Sequence, residues 1–131
     1  MPHISSKPIS ESAQRGIERK LADTFALIGK DKDMKFVLKE FFTKTESIKL
    51  AKRLTTIYLV REGKATLDIA ETLQVSPSTV ARVEVAYETG KYKHLEKLFK
   101  KLEPKFWDMI EILLSAMPPM TERRRYKSFN K

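Results

Sequence analysis

The segment "QVSPSTVARV", residues 74–83, brings together side chains that can read another molecule through hydrogen bonds. At helical spacing, Ser78 and Arg82 project away from the apolar Val80, and Thr79 lies beside them. An arginine can bond guanine O6 and N7 together, and a hydroxyl group can reach a base edge or a phosphate. The small neighbouring side chains would let such a helix enter a DNA major groove about 12 Å wide.

The start of this helix carries a second, anion-binding feature. Ser76 is expected to cap the helix by accepting backbone N–H groups, and Pro77 suits the first helical position because it lacks an N–H group. The capped end favours contact of Ser76 with a phosphate, and Val85, further along, could meet a thymine methyl group. Gln74 stands where a turn usually has glycine, and a left-handed backbone there would cost about 1 kcal/mol.

Residues 66–88 as a whole predict the element that positions these side chains. A short helix marked by Ile69, Ala70 and Leu73 precedes a tight turn containing Val75, which matches the helix-turn-helix pattern. The alternative is a helical hairpin that serves packing only. The acidic Glu84 and Glu88 would hinder DNA binding unless they face away from the DNA backbone.

The remaining apolar residues also recur at helical spacing, and no alternating strand pattern appears, so the sequence predicts an all-α protein. Further helices are expected before Gly29, over 34–42, from Thr43 to Gly63, after Gly90, and from Pro104 to Met117. We expect a loose N-terminal arm (1–10), a helical domain (11–117) and a basic tail (118–131).

The charge favours a polyanionic partner. The net charge is +9 and the isoelectric point about 9.8. Residues 44–64, 89–105 and 121–131 each carry a net +4, whereas residues 65–88 carry a net −3. The expected phosphate contacts are cations that flank the helix pair or lie in the tail: Lys49, Lys52, Lys64, Lys91, Lys93, Arg123, Arg124 and Arg125.

Other classes of protein find little support in the sequence. There is no cysteine, and the two histidines lack companions for a metal site. No serine or threonine has a positioned base, so no enzyme, metal or cofactor is expected. No apolar run reaches the roughly 18 residues of a membrane span, and no secretory signal appears. A cytoplasmic protein is the expectation.

Residues 41–83, "FFTKTESIKLAKRLTTIYLVREGKATLDIAETLQVSPSTVARV", resemble the Trp repressor superfamily, especially its uncharacterised bacterial members. The shared order is a threonine-started helix, a "REGK" break and the helix pair, and the resemblance extends over about residues 17–102. It implies an intertwined helical homodimer whose two helix-turn-helix units face successive major grooves. An alternative is that the helix at 104–117 covers the N-terminal apolar surface within one protomer.

The resemblance also maps a co-repressor pocket onto this chain. Arg53 and Arg82 fall where two arginines flank a tryptophan ring, and Thr43 matches a residue lining that pocket. However, Val83 replaces a glycine and Ala86 a serine that receives the ligand's ammonium group. These departures argue against a tryptophan co-repressor and favour a solvated or phosphate-contacting Arg53.

The sequence therefore predicts a transcription regulator, a repressor by resemblance, that binds double-stranded DNA as a homodimer. Two other functions stay open: a protein-interaction adaptor on the same scaffold, and a non-specific nucleic-acid-binding protein.

Overall fold

The structure, a computed structural model, describes residues 8–116. Six α-helices run through this part of the chain, and it contains no β-strand. The helices are α1 (Glu11–Lys30), α2 (Met34–Phe41), α3 (Lys44–Arg61), α4 (Thr66–Leu73), α5 (Pro77–Glu88) and α6 (Lys93–Ala116). The predicted all-α class is confirmed.

The described chain forms two compact units, the first ending at Lys44 and the second beginning at Thr45. The predicted single domain over 11–117 stays a prediction. Of the predicted arm, only residues 8–10 are described, and they precede α1 without regular structure. The predicted tail, 118–131, lies outside the described residues.

The first unit consists of α1 and α2 around a small aromatic cluster. The ring centroids of Phe25 and Phe41 lie 6.0 Å apart, those of Phe25 and Phe42 6.2 Å, and those of Phe41 and Phe42 5.0 Å. Ser10 caps α1 by accepting the Ala13 N–H group at 3.2 Å. No residue of α1 or α2 is buried.

The second unit contains the described hydrophobic core, and α3 supplies its centre. Five consecutive α3 residues, 55–59, are buried, so this turn of the helix is covered on every side. The Thr55 and Thr56 hydroxyls donate to carbonyl oxygens one turn earlier, both at 2.7 Å, which satisfies these buried polar groups. Tyr58 meets Phe99 and Trp107 of α6 edge to face, with ring centroids 5.5 and 6.2 Å apart.

The α4–α5 pair folds as its sequence pattern predicts. Ile69, Leu73 and Val80 are fully buried, and Val75 and Val83 pack against the core from half-buried positions. Gln74 takes the left-handed backbone conformation (φ 54°, ψ 50°), and the Val75 N–H group closes the end of α4 on the Ala70 carbonyl at 3.0 Å. The predicted strained turn at Gln74 is confirmed.

The prediction that a separate helix begins at Pro104 is wrong, because α6 runs unbroken through position 104. A proline inside a helix costs about 3 kcal/mol through its lost hydrogen bond and ring clash. Phe99, Ile110 and Leu113, on the two sides of that position, are buried in the core. Burial of each contributes roughly 1.5–3 kcal/mol, so packing outweighs the local cost and both segments remain in one helix.

Candidate nucleic-acid interface

The outer face of α5 presents the side chains that the sequence predicts to contact DNA. Ser78, Thr79 and Arg82 are exposed, and Val85 is 61% exposed, whereas Val80 between them is fully buried. Arg82 has no ion pair with a described carboxylate. A continuous polar strip with one apolar side chain can therefore meet a partner without rearrangement of the core.

The start of α5 is a cluster of three exposed hydroxyl groups. Ser76 Oγ accepts the Thr79 backbone N–H group at 3.1 Å, which confirms Ser76 as the helix cap. The same Oγ lies 3.1 Å from Ser78 Oγ and 2.7 Å from Thr79 Oγ1. Hydroxyl groups both donate and accept, so this cluster can bond to a base edge or to a phosphate oxygen.

Glu84 is held by the α4–α5 pair itself. The Thr66 hydroxyl, at the start of α4, reaches both oxygens of the Glu84 carboxylate, at 2.9 and 3.0 Å. This contact ties the first turn of α4 to the middle of α5 and occupies a carboxylate that the sequence analysis counted against DNA binding. Glu88 is exposed.

A second polar anchor holds the end of α5 to α3 and α6. Arg61 Nε donates to both oxygens of Glu96 at 2.7 Å, and its Nη1 donates to Glu62 at 2.9 Å. The Tyr87 hydroxyl of α5 donates a hydrogen bond to the same Glu96 carboxylate. Three helices therefore meet at one partly buried anion, and the guanidinium of Arg61 also lies 5.9 Å from the centroid of the Tyr58 ring.

The contacts in this anchor shift the pKa values of Glu96 and Tyr87 in opposite directions. The hydrogen bonds from Tyr87 and then from Arg61 lower the pKa of Glu96 below its usual value of 4.5. Burial and the adjacent Glu96 carboxylate raise the pKa of Tyr87 to about 12. At neutral pH the anchor consists of an ionised Glu96, a charged Arg61 and a protonated Tyr87.

A groove of about 360 Å³ runs between α3 and the start of α5. Cations line its α3 side, and valines lie beside the turn and along α5; the lining residues are Lys49, Lys52, Arg53, Thr56, Val75, Thr79 and Val83. All of these belong to the second unit. The groove lining therefore combines cationic, hydroxyl and apolar side chains.

The family resemblance assigned three residues to a ligand pocket, and the groove lining contains one of them. Arg53 lines the groove, but Arg82 is absent from the lining and Thr43 belongs to the first unit. Val83 is part of the groove lining. Their assignment as a ligand site stays a prediction.

The predicted flanking cations outside the groove fall into two groups, those within the described residues and those beyond them. Lys64 is half-buried, and the exposed Lys91 has its ammonium group 5.7 Å from the centroid of the Tyr92 ring. Arg123, Arg124 and Arg125 lie outside the described residues.

Sequence reasoning missed the Thr66–Glu84 contact and the Glu96 anchor, although the spacing of Glu84 and Tyr87 places both on one side of α5.

No group of three or more potential metal-ligating side chains occurs among the residues that the structure describes. Within residues 8–116, none of the helices is both long enough and apolar enough to cross a membrane. The chain matches no family model, no curated protein and no solved structure.

Proposed function

We propose that this protein is a sequence-specific, DNA-binding transcription regulator and that α4 and α5 act as a helix-turn-helix unit. The observation that carries the proposal is the exposed strip Ser78–Thr79–Arg82–Val85 on a helix whose opposite side is fixed in the core. Arg82 discriminates guanine, the α5 hydroxyl groups bond to bases and phosphates, and Val85 contacts a thymine methyl group.

The charge distribution supports a nucleic-acid partner. The chain carries a net charge of +9, and the segments on both sides of residues 65–88 are each net positive. Such cations neutralise phosphates and release counterions, which gives salt-sensitive affinity for any duplex. The two carboxylate anchors support the same proposal, since they fix how α5 presents its outer face.

The order of elements from α3 through α5 matches the resemblance of residues 41–83 to the Trp repressor superfamily. On that resemblance we extend the proposal to action as a repressor in the cytoplasm. In this proposal the protein binds DNA and catalyses no reaction. A protein adaptor and a non-specific nucleic-acid binder are the alternatives that the tests below separate.

Selection of bound sequences from random DNA duplexes at about 150 mM salt tests the proposal directly. We expect enrichment of one short motif with a guanine at the position that Arg82 contacts. Absence of any enriched motif, with equal affinity for all duplexes, would indicate a non-specific binder. Absence of DNA binding altogether would favour the adaptor.

Two substitutions of Arg82 separate base reading from charge. Arg82→Ala should reduce discrimination at one base pair by about 1–3 kcal/mol. Arg82→Lys keeps the charge but loses the two-bond geometry, so it should lose discrimination while retaining most non-specific affinity. Lys97→Ala, an exposed α6 lysine outside the strip, is the control and should leave discrimination unchanged.

We also propose that the protein is a homodimer in which the first unit packs against a second copy. Ile17 and Leu21 are 53% and 46% exposed on neighbouring turns of α1. A shallow groove of about 610 Å³ follows the same stretch of α1, with small and apolar side chains beside Lys20 and Thr24. Contiguous exposed apolar surface of this kind is typical of an interface between protein chains.

A matched pair of double variants tests the dimer. Ile17→Gln with Leu21→Gln removes the apolar stripe and should shift the molar mass measured by light scattering from dimer to monomer. Glu18→Gln with Arg19→Gln changes two exposed residues of the same helix and leaves net charge unaltered, so it should remain dimeric. A monomeric parent protein would contradict the proposal.

A further inference from the structure

The groove between α3 and α5 has a cationic side that described carboxylates do not neutralise. No ion pair joins Lys49, Lys52 or Arg53 to an acidic side chain of the described residues. The acidic residue in this part of α3 is Glu46, one turn before Lys49, and Glu46 is absent from the groove lining. The excess positive charge can therefore attract an anionic ligand.

The arrangement of the three cations follows from the helix geometry. Positions 49, 52, 53 and 56 recur at three- and four-residue spacing, so they share one face of α3. Thr56 is buried at the end of this row, and its hydroxyl group donates to the Lys52 carbonyl at 2.7 Å. Lys49 and Arg53 are about 6 Å apart along the axis and line one wall.

The groove adjoins the reading face of α5 through a shared residue. Thr79 lines the groove and also belongs to the exposed strip proposed to meet DNA. When a recognition helix enters the major groove, its N-terminal residues lie at the base edges, and helix N-termini also contact backbone phosphates. The α3 cations are therefore placed to meet such a phosphate.

We propose that this groove binds a phosphate group and that, in the DNA complex, the phosphate belongs to the backbone strand flanking the major groove. The inference rests on the proposed function and extends it: α3 contributes backbone contacts that fix register, while α5 supplies base contacts. The cations contact the phosphate oxygens, and Val75 and Val83 contact the apolar carbons of the adjacent deoxyribose.

The solvent exposure of its cations makes the groove better suited to a backbone phosphate than to a free anion. Its cations are partly or fully exposed, so they remain hydrated and hold a small anion weakly. A phosphate tethered to a duplex that α5 already binds is present at a high effective concentration. Counterion release from the DNA adds further affinity that a free anion lacks.

The test measures how affinity for the selected duplex depends on salt in the full-length chain. In the groove variant, Lys49, Lys52 and Arg53 are all replaced by glutamine. Each phosphate contact contributes about 0.9 to the slope of log affinity against log salt, so the slope should fall by about 1–3. The preference for the selected duplex over a scrambled one should stay within about twofold, since backbone contacts carry no sequence information.

A matched variant removes the same charge elsewhere. Lys97→Gln, Lys100→Gln and Lys101→Gln change three exposed lysines of α6, none of which lines the groove. The slope should fall clearly less in this variant than in the groove variant. Circular dichroism of both variants establishes that the helical fold is retained before slopes are compared.

Three results would overturn the groove proposal. Equal slope changes in the two variants would mean that net charge alone matters. An unchanged slope in the groove variant would exclude phosphate contact there. Inorganic phosphate that stabilises the parent protein but not the groove variant, with the DNA slope unaltered, would assign the groove to a free anion. Parent protein that binds no duplex would instead defeat the proposed function, and the groove proposal with it.

Discussion

The two compact units of this protein use their apolar side chains in different ways. Among its described residues, the second unit buries ten hydrophobic side chains, from Ile57 to Leu113, in one core. The first unit exposes many of its large apolar side chains, and neither of its helices has a buried residue. The stability of the second unit thus comes from its own residues, whereas the first can gain stability by covering its surface with another chain.

This difference bears on function because the proposed reading face belongs to the second unit. The core holds the inner side of α5, and two polar anchors attach its middle and end to other helices. The DNA-reading strip is therefore set within one protomer, while the proposed dimer contact determines how far apart two such strips lie. Base discrimination by the strip and the distance between the two strips should therefore respond to different substitutions.

The largest expected effect comes from the core of the second unit. Leu73→Ala removes a fully buried side chain and should lower the free energy of unfolding by about 2–5 kcal/mol. Leu27→Ala, at a 70% exposed position in the first unit, should change it by less than about 0.5 kcal/mol. Chemical denaturation of both variants measures the contrast. A large cost for Leu27→Ala would show that another chain covers that position.

The next effect comes from the polar anchor at the end of α5. Tyr87→Phe removes the hydroxyl group that donates to the Glu96 carboxylate and leaves the ring in place. Hydrogen bonds to charged groups contribute about 1.5–3 kcal/mol, and partial exposure places this one near the lower value. Tyr92→Phe is the control, and hydrogen exchange of α5 amides should increase in Tyr87→Phe alone. Equal exchange in both variants would exclude an anchoring role for Tyr87.

The anchor also predicts a pH dependence with two limits. The folded pKa of Tyr87 is raised to about 12, so its contribution is complete below the unfolded value of 10 and is lost as pH rises through 12. The pKa of Glu96 is lowered, so its contribution is present above 4.5 and declines as pH falls further. The difference in stability between the parent protein and Tyr87→Phe should shrink at both extremes. A constant difference from pH 3 to pH 12 would contradict the assigned contacts.

A smaller effect is expected from two glycines in different backbone conformations, one just after α5 and one inside α1. Gly90 has φ +84° with open space around it, so Gly90→Ala introduces backbone strain without a steric clash, at a cost of about 1–2 kcal/mol. Gly16 lies inside α1, also in open space, and Gly16→Ala should instead favour the helix by about 0.5–1 kcal/mol. Thermal unfolding of the two variants should therefore shift in opposite directions. Shifts of the same sign would contradict this assignment of backbone conformations.

Local patterns in the sequence were sufficient to predict most of the helices and the turn. Ser76, Pro77 and the apolar spacing around Val80 act through neighbouring backbone, so the bounds of α5 and its exposed face followed directly. The continuity of α6 could not be found in this way. Local propensity at Pro104 favours a break, and only tertiary packing of the flanking turns outweighs it.

The contacts that hold α5 were also beyond local reasoning. Arg61 and Glu96 are 35 residues apart, and Thr66 and Glu84 are 18 apart, so their pairing depends on how the helices pack. The groove could not be predicted for the same reason, because its lining combines α3 cations with Thr79 and Val83 of α5. Sequence periodicity assigned these residues to helix faces but could not say which faces meet.

The smallest expected effect concerns the turn that joins α4 to α5. Gln74 is the residue other than glycine with positive φ in the described chain, so Gln74→Gly relieves backbone strain of about 1 kcal/mol that any other residue retains there. Gln74→Ala is the matched control, because it removes the same side chain while keeping the strained backbone, and should be less stable than Gln74→Gly. Denaturant unfolding measures both. An alanine variant as stable as the glycine variant would mean that the left-handed conformation carries no cost. The gain should appear in amide protection of α4 and α5 and leave α1 unchanged, which would sharpen the contrast between the two units.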